Sequence, residues 1–303
     1  MRWCPAVETQ QKGRMIEVKA VIDILRGIVI GIANIIPGVS GGTMMVSMGI
    51  YDNVISAVTH IFKDFKKSVL TLLPYAIGMG AGIIGLSFLI TYLFEQFPLQ
   101  TALLFIGLII GGVPLIYGKM KNDTKQLSAV HMILFALFFL MVILLQIFGS
   151  KSTGNVVLEP GVMMFFILLV IGVIASATMV IPGVSGSMVL MLLGFYNPVL
   201  SEITAFITAL VHLDLEGLIR GIAILFPFGA GVLCGIFFVA KLIEWLLSKY
   251  ESYTYSGILG LVIASPVVIL LQIGVGTVNV FSVLTGVIAL AAGCAAAYFL
   301  GRE

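Results

Sequence analysis

The amino-acid sequence predicts an all-α, polytopic integral membrane protein. Of its 303 residues, 60% are apolar and only 10% are charged, and the mean hydropathy is +1.18. A soluble domain usually carries about 25% charged residues, so this chain has too few to cover a water-facing surface. Its apolar segments are continuous and do not alternate with polar residues, which is typical of membrane helices and not of membrane strands.

Eight apolar segments follow one another along the chain. Two of them, at about 20–59 and 161–211, are interrupted near the middle by Pro and Gly. The other six are unbroken and about as long as the roughly 20 residues that a helix needs to cross a bilayer. These six are Val69–Phe94, Leu99–Tyr117, Leu127–Phe148, Gly221–Leu247, Thr254–Ile273 and Val278–Leu300.

An internal repeat organises these segments. Ile36–Ser56 and Ile181–Ser201 are identical at ten of 21 positions at an offset of 145, and an offset of 153 aligns the segments that follow. We therefore expect a cytoplasmic tail over 1–19, one repeat over 20–150 and a second repeat over 151–303, all within one membrane domain. Each repeat would contain a broken helical segment followed by three transmembrane helices.

The distribution of basic residues predicts the topology. If each broken segment enters and leaves on the same side, 14 of the 16 Lys and Arg residues lie on the side of the N-terminus, which the positive-inside rule makes cytoplasmic. If each broken segment crossed once, the same charges would divide nine to seven. Both termini are then cytoplasmic, and the second copy is inverted relative to the first. The short limbs of the first broken segment favour re-entrant hairpins, with full crossing left open, above all for Gly161–Ile181.

Both broken segments contain the motif Pro-Gly-Val-Ser-Gly. Pro and Gly end the preceding helix, and a helix that begins just after them presents unpaired amides and the positive end of its dipole. Together with the nearby hydroxyls, that combination suits a phosphate or a carboxylate. The predicted anion site contains Pro37, Gly38, Ser40, Gly41, Gly42 and Thr43 from the first copy, and Pro182, Gly183, Ser185, Gly186 and Ser187 from the second.

Close packing between membrane helices is the alternative role for glycine and serine. We assign that role to four glycines that the repeat aligns after the motifs: Gly78, Gly82, Gly231 and Gly235.

Charged residues near the motifs extend the candidate site. Arg26 either clamps a phosphate through its guanidinium, or lies at the membrane interface and pairs with Asp23. Arg220 either attracts the same anion on the opposite side or anchors its helix at the interface. Asp23, Asp52 and Glu202 are candidates for carrying a coupling proton or sodium ion, with solvated helix ends as the alternative.

Several function classes are disfavoured by what the sequence lacks. It has no basic stripe for nucleic acid and no nucleotide-binding loop for direct drive by ATP. His60, His131 and His212 lie near the ends of the apolar segments without a metal-ligand spacing, so we interpret them as polar boundary residues. We predict no metal, no other cofactor and no catalytic residue.

Two segments carry a resemblance to a known family. IANIIPGVSGGT at Ile32–Thr43, MVIPGVSGS at Met179–Ser187, and the duplicated layout resemble the PopT-like polyprenyl-phosphate transporter family of bacterial and archaeal membranes, formerly a domain of unknown function. The resemblance implies a flippase that returns undecaprenyl phosphate to the inner leaflet of the plasma membrane for envelope polymer synthesis. Its partners would be membrane lipid, the polyprenyl phosphate substrate and a proton or sodium gradient.

Two other functions stay open at this point. A secondary transporter of a small soluble anion would use the same site. A membrane phosphatase acting on a polyprenyl diphosphate is less favoured, because a nucleophile normally needs an activating base nearby. No His or carboxylate lies within ten residues of Ser185, and Asp52 is twelve residues from Ser40. A channel is disfavoured because the sequence has no rings of charge for a pore.

Overall fold

The computed structural model describes residues 5–35, 40–122, 127–149, 156–272 and 279–301. The regular secondary structure within these ranges is entirely helical, which confirms the all-α prediction. The helices are α1 (Pro5–Ile35), α2 (Gly41–Ser47), α3 (Tyr51–Thr59), α4 (Phe65–Gln96), α5 (Pro98–Asn122), α6 (Ala129–Gly149), α7 (Val162–Val180), α8 (Gly186–Leu192), α9 (Tyr196–His212), α10 (Leu215–Lys249), α11 (Glu251–Gln272) and α12 (Val280–Leu300).

Seven of the described helices are long and apolar enough to cross a membrane. Six of them, α4, α5, α6, α10, α11 and α12, are the unbroken segments that the sequence predicts. The seventh, α7, is the first limb of the second broken segment, and its 19 residues rise about 28 Å. The chain is therefore a multi-pass membrane protein. The limb that follows, α8, has only 7 residues and bends by 108° into α9.

The order of helices repeats, with α1–α6 matched by α7–α12. The turn after each short helix has the same geometry in both copies: Gly49 has φ 70° and Gly194 has φ 76°. In each, the next amide donates to a carbonyl five residues earlier, from Ile50 to Met45 and from Phe195 to Leu190. Because glycine tolerates positive φ, it can end a helix in this way. The duplication read from the sequence thus extends to backbone geometry.

The N-terminal segment is helical where it is described. We expect a cytoplasmic tail over 1–19, and the residues of this range that the structure describes, from Pro5 onward, belong to α1, which continues into the first apolar segment. No proline follows to interrupt α1 before its end at Ile35.

The described chain forms two compact units. Unit 1 comprises Met1–Ile36, Met44–Gly112 and Ile273–Glu303, and unit 2 comprises Pro37–Thr43 and Val113–Gln272. The units do not coincide with the two repeats, because α12 of the second repeat belongs to unit 1 and α6 of the first belongs to unit 2. The motif residues of both repeats belong to unit 2.

Glycines allow one pair of helices in each unit to pack closely together. In unit 1, a Cβ added to Gly78 on α4 would lie 2.1 Å from the Ile24 carbonyl oxygen of α1. In unit 2, a Cβ added to Gly231 on α10 would lie 2.1 Å from the Leu169 carbonyl oxygen of α7. The backbones therefore touch directly, as small residues allow between membrane helices. The predicted packing role of these glycines is confirmed, and Gly82 and Gly235 pack in the same way.

A buried histidine joins three helices of unit 2. His131 is predicted from the sequence to be a polar residue near a membrane boundary, and in the structure it is only 2% exposed. Its Nδ1 accepts a hydrogen bond from the Ser128 amide at 3.1 Å, and its Nε2 lies 2.8 Å from the Ser252 hydroxyl. Ser252 in turn donates to the Met120 carbonyl oxygen at 2.6 Å. His131 thus lies near the start of α6, as the boundary interpretation expects, but its ring is buried and its Nε2 has a buried partner on α11.

Candidate functional site

The first motif ends in a tight, buried turn at the start of α2. Pro37 and Gly38 lie outside the described residues. Ser40 is 5% exposed, and its hydroxyl accepts a hydrogen bond from the Gly42 amide at 3.2 Å. Ser40 thereby caps the first turn of α2, as serine commonly does at a helix N-terminus. Gly41 follows as the first residue of this helix.

The second motif forms the turn between α7 and α8. Gly183 has φ 80°, and a Cβ at this position would lie 2.5 Å from the Leu261 carbonyl oxygen. Only glycine fits there, because both the dihedral angle and the close approach exclude a side chain. The hydroxyls of Ser185 and Ser187 are half-buried and hydrogen-bond to each other at 2.9 Å. Gly186 begins α8.

The two motifs meet inside unit 2. The Gly183 amide donates a hydrogen bond to the Thr43 hydroxyl oxygen at 2.8 Å, and the Thr43 side chain is completely buried. A Cβ added to Gly42 would lie 3.2 Å from the Pro182 Cα. Two turns separated by about 140 residues of sequence are thus in direct contact. The contact involves Gly42 and Thr43 of the first motif and Pro182 and Gly183 of the second.

The motif pair is closed in this conformation. The cavity beside the second motif has a volume of about 10 Å³ and is lined in part by Gln146, Gly183 and Ser185. That volume holds about one water molecule, which is less than a phosphate group requires. The short helices also limit the dipole argument, because α2 and α8 have only 7 residues each. Hydroxyls and nearby amides are therefore the stronger anion-binding groups here.

A polar pair beside the second motif is not among the residues predicted from the sequence. Gln146 of α6 is 8% exposed, lines the same small cavity as Ser185, and accepts a hydrogen bond from the Gln272 side chain of α11 at 3.1 Å. The sequence contains a signal that could have identified this residue, since Gln146 is an isolated amide in the strongly apolar segment of α6. Polar groups within membrane helices are costly and are often functional.

Arg26 lies in a buried network of unit 1. Its Nη1 contacts the Asp23 carboxylate at 2.9 Å, and its Nε donates to the Leu300 carbonyl oxygen at 3.0 Å. Tyr75 donates to the same Asp23 oxygen at 2.8 Å. The expected pairing with Asp23 is confirmed. The Arg26 side chain is not in solvent, because the residue is 4% exposed and the negative end of α12 holds the guanidinium inside the protein.

Two of the other charged candidates pair with each other. Arg220 of α10 pairs with Glu202 of α9 at 2.9 Å, and the Arg220 side chain is 57% exposed. Exposed pairs of this kind contribute little to stability. Asp52 lies half-buried in the first turn of α3. Asp23 and Glu202, two of the three candidates for ion coupling, each contact an arginine.

Comparison with known proteins identifies the family. The sequence profile of the VCA0040-like family, described as undecaprenyl phosphate translocase-like, matches residues 30–280. The chain belongs to this family. A "polyprenyl-phosphate transporter" of Staphylococcus aureus is 32% identical, over 80% of this chain and 84% of the relative. A protein of the same name from Vibrio cholerae serotype O1 is 28% identical, over 80% of this chain and 74% of the relative. No solved structure is significantly similar to the chain.

Proposed function

We propose that the protein transports a polyprenyl phosphate carrier lipid, undecaprenyl phosphate or a close relative, from the outer to the inner leaflet of the plasma membrane. The observation that carries the proposal is the hydrogen bond of 2.8 Å between Gly183 and Thr43, which joins the two motifs. The family and the names of its two relatives support this substrate. Return of the carrier to the inner leaflet would supply envelope polymer synthesis.

The physical problem of this transport is the phosphate head. Moving an unpaired charge through hydrocarbon costs several kcal/mol or more, whereas the prenyl tail can remain in lipid. The two motifs supply hydroxyls from Ser40, Thr43, Ser185 and Ser187 in place of the lost water. The closed motif pair would open to admit the head, first to one side and then to the other. An inverted arrangement of the repeats would give the two sides equivalent access routes.

Ionic drive and orientation form part of the same proposal. Both termini are cytoplasmic because this places most basic residues on the inner side. A proton or sodium gradient supplies the energy, and Asp23, Asp52 and Glu202 are the candidate carriers. Asp23 and Glu202 already contact arginines, so uptake of a cation there would have to weaken an ion pair.

Transport without covalent chemistry fits the surroundings of the serines. Among the described residues, the Ser185 hydroxyl contacts the Ser187 hydroxyl, and the Ser40 hydroxyl contacts the Gly42 amide. Neither serine contacts a histidine or carboxylate that could activate it as a nucleophile. We expect the purified protein to release no phosphate from a polyprenyl diphosphate, and steady release would favour the phosphatase alternative.

A leaflet-accessibility assay tests the proposed function. Labelled polyprenyl phosphate in vesicles should exchange between leaflets faster with the purified protein than without it, and imposed proton or sodium gradients should change that rate. Ser40→Ala and Ser185→Ala should slow the exchange. Ser248→Ala is a matched control, because this exposed serine donates only to the Trp245 carbonyl oxygen of its own helix. Equal exchange by all three variants and the unmodified protein would remove the motif serines from the mechanism.

A further inference from the structure

Unit 1 contains a large cavity that has no role in the proposed motif site. Its volume is about 1760 Å³, which exceeds the usual range of roughly 300–1,000 Å³ for small-molecule pockets. It lies between the helices α1, α3 and α4 and the connection from α3 to α4. We call it the basic vestibule, after its lining residues Lys19, Lys63, Lys66, Lys67 and Arg26.

The basic vestibule carries uncompensated positive charge. Arg26 and Asp23 form an ion pair at its buried end, so these two charges offset each other. Among the lining residues that the structure describes, the remaining charged ones are four lysines and one carboxylate, that of Asp64. Lys63, Lys66 and Lys67 are exposed and make no salt bridge within the described residues. Such a concave surface of one sign concentrates anions from solution.

Apolar residues lie among these lysines. Val18, Phe65 and Leu70 line the same cavity, and their side chains are largely exposed. A free inorganic anion gains nothing from contact with apolar side chains. A phosphate attached to a hydrocarbon chain can contact both classes of residue at once. The combination therefore favours a lipid-linked phosphate over a soluble one.

We infer that the basic vestibule is a second binding site for the phosphate monoester head of a prenyl phosphate, distinct from the motif pair. The inference rests on the proposed function. Lys63 in the connection between α3 and α4, and Lys66 and Lys67 in the first turn of α4, lie on the side that the sequence predicts to be cytoplasmic. The vestibule binds the head on that predicted cytoplasmic side, and Lys63, Lys66 and Lys67 hold it there.

Equilibrium binding to the purified protein tests this site. The probe is farnesyl phosphate, a short prenyl phosphate, and the key variant is the triple substitution Lys63→Gln, Lys66→Gln, Lys67→Gln. Because each lysine near an anionic headgroup strengthens binding several-fold, we expect affinity to fall by about tenfold or more. The matched control, Lys121→Gln, Lys241→Gln, Lys249→Gln, removes the same charge from exposed positions outside the vestibule. It should bind as the unmodified protein does.

The outcomes separate the inference from the function on which it rests. Equal affinity of both triple variants and the unmodified protein, with transport intact, overturns the vestibule but leaves the transporter. Absence of binding and transport in the unmodified protein overturns the proposed function itself. Equal weakening in both triple variants also overturns the site, because it would reflect net charge alone. Competition by inorganic phosphate, or by phosphatidylglycerol vesicles, as strong as by farnesyl phosphate overturns the assignment to a prenyl phosphate.

Discussion

The contact between the two motifs makes a quantitative prediction through Thr43→Val. Valine has nearly the shape of threonine but no hydroxyl oxygen, so the buried Gly183 amide would lose its acceptor at 2.8 Å. An unsatisfied buried donor costs about 1–3 kcal/mol. This corresponds to a change of roughly 5- to 150-fold in the local opening equilibrium. Thr43→Ser keeps the oxygen and removes one methyl group, at a cost of about 0.8 kcal/mol.

Hydrogen exchange and vesicle transport together measure this effect. In Thr43→Val, the Gly183 amide should exchange faster by about the factor above, because its closed state is destabilised. In Thr43→Ser, the exchange rate of that amide should rise by no more than about fourfold, the factor to which about 0.8 kcal/mol corresponds. Transport should fall in the valine variant and persist in the serine variant. Unchanged protection of the amide in Thr43→Val would refute the claim that this hydrogen bond holds the motifs together.

Three further substitutions test the packing, each by thermal unfolding of the purified protein. Gly231→Ala places a Cβ against a backbone carbonyl 2.1 Å away and should destabilise by about 1–3 kcal/mol. Gly229→Ala has open space around it and should be neutral or stabilising, so equal effects of the two would contradict the packing argument. His131→Leu removes the buried hydrogen bond to the Ser252 hydroxyl and should cost about 0.5–1.5 kcal/mol, whereas the exposed His212 should tolerate leucine with a smaller change, within about 0.5 kcal/mol. Gly194→Ala, at φ 76°, should cost about 1–2 kcal/mol, and no loss would show that the turn relaxes.

The architecture could be predicted from the sequence because membrane helices satisfy their backbone hydrogen bonds locally. A continuous apolar run such as Leu99–Tyr117 is recognisable without knowing its neighbours, and it lies within α5. The repeat was equally readable, since a duplicated motif aligns position by position. Gly49 and Gly194 have similar positive φ angles in the two copies. The residue type at these positions therefore predicts the local turn.

The candidate site was only partly predictable, because its residues interact over long sequence distances. The two motifs are named correctly from sequence, but Thr43 and Gly183 form a hydrogen bond that no local pattern contains. Arg26 illustrates the same limit. Its pairing with Asp23 follows from helical spacing, whereas the carbonyl of Leu300, which helps to keep the arginine buried, lies at the far end of the chain.

The amino-acid sequence by itself determined that this chain is a duplicated bundle of membrane helices with two glycine- and serine-containing breaks. Composition, the length of the apolar segments and the alignment of the two repeats can be read directly from the sequence. They can therefore be determined without knowledge of the fold. Only the tertiary structure decided how helices are shared between the two units and that His131 is buried. It also decided that four lysines line one cavity. These outcomes depend on which helix surfaces meet, and that choice is made by packing across the whole chain.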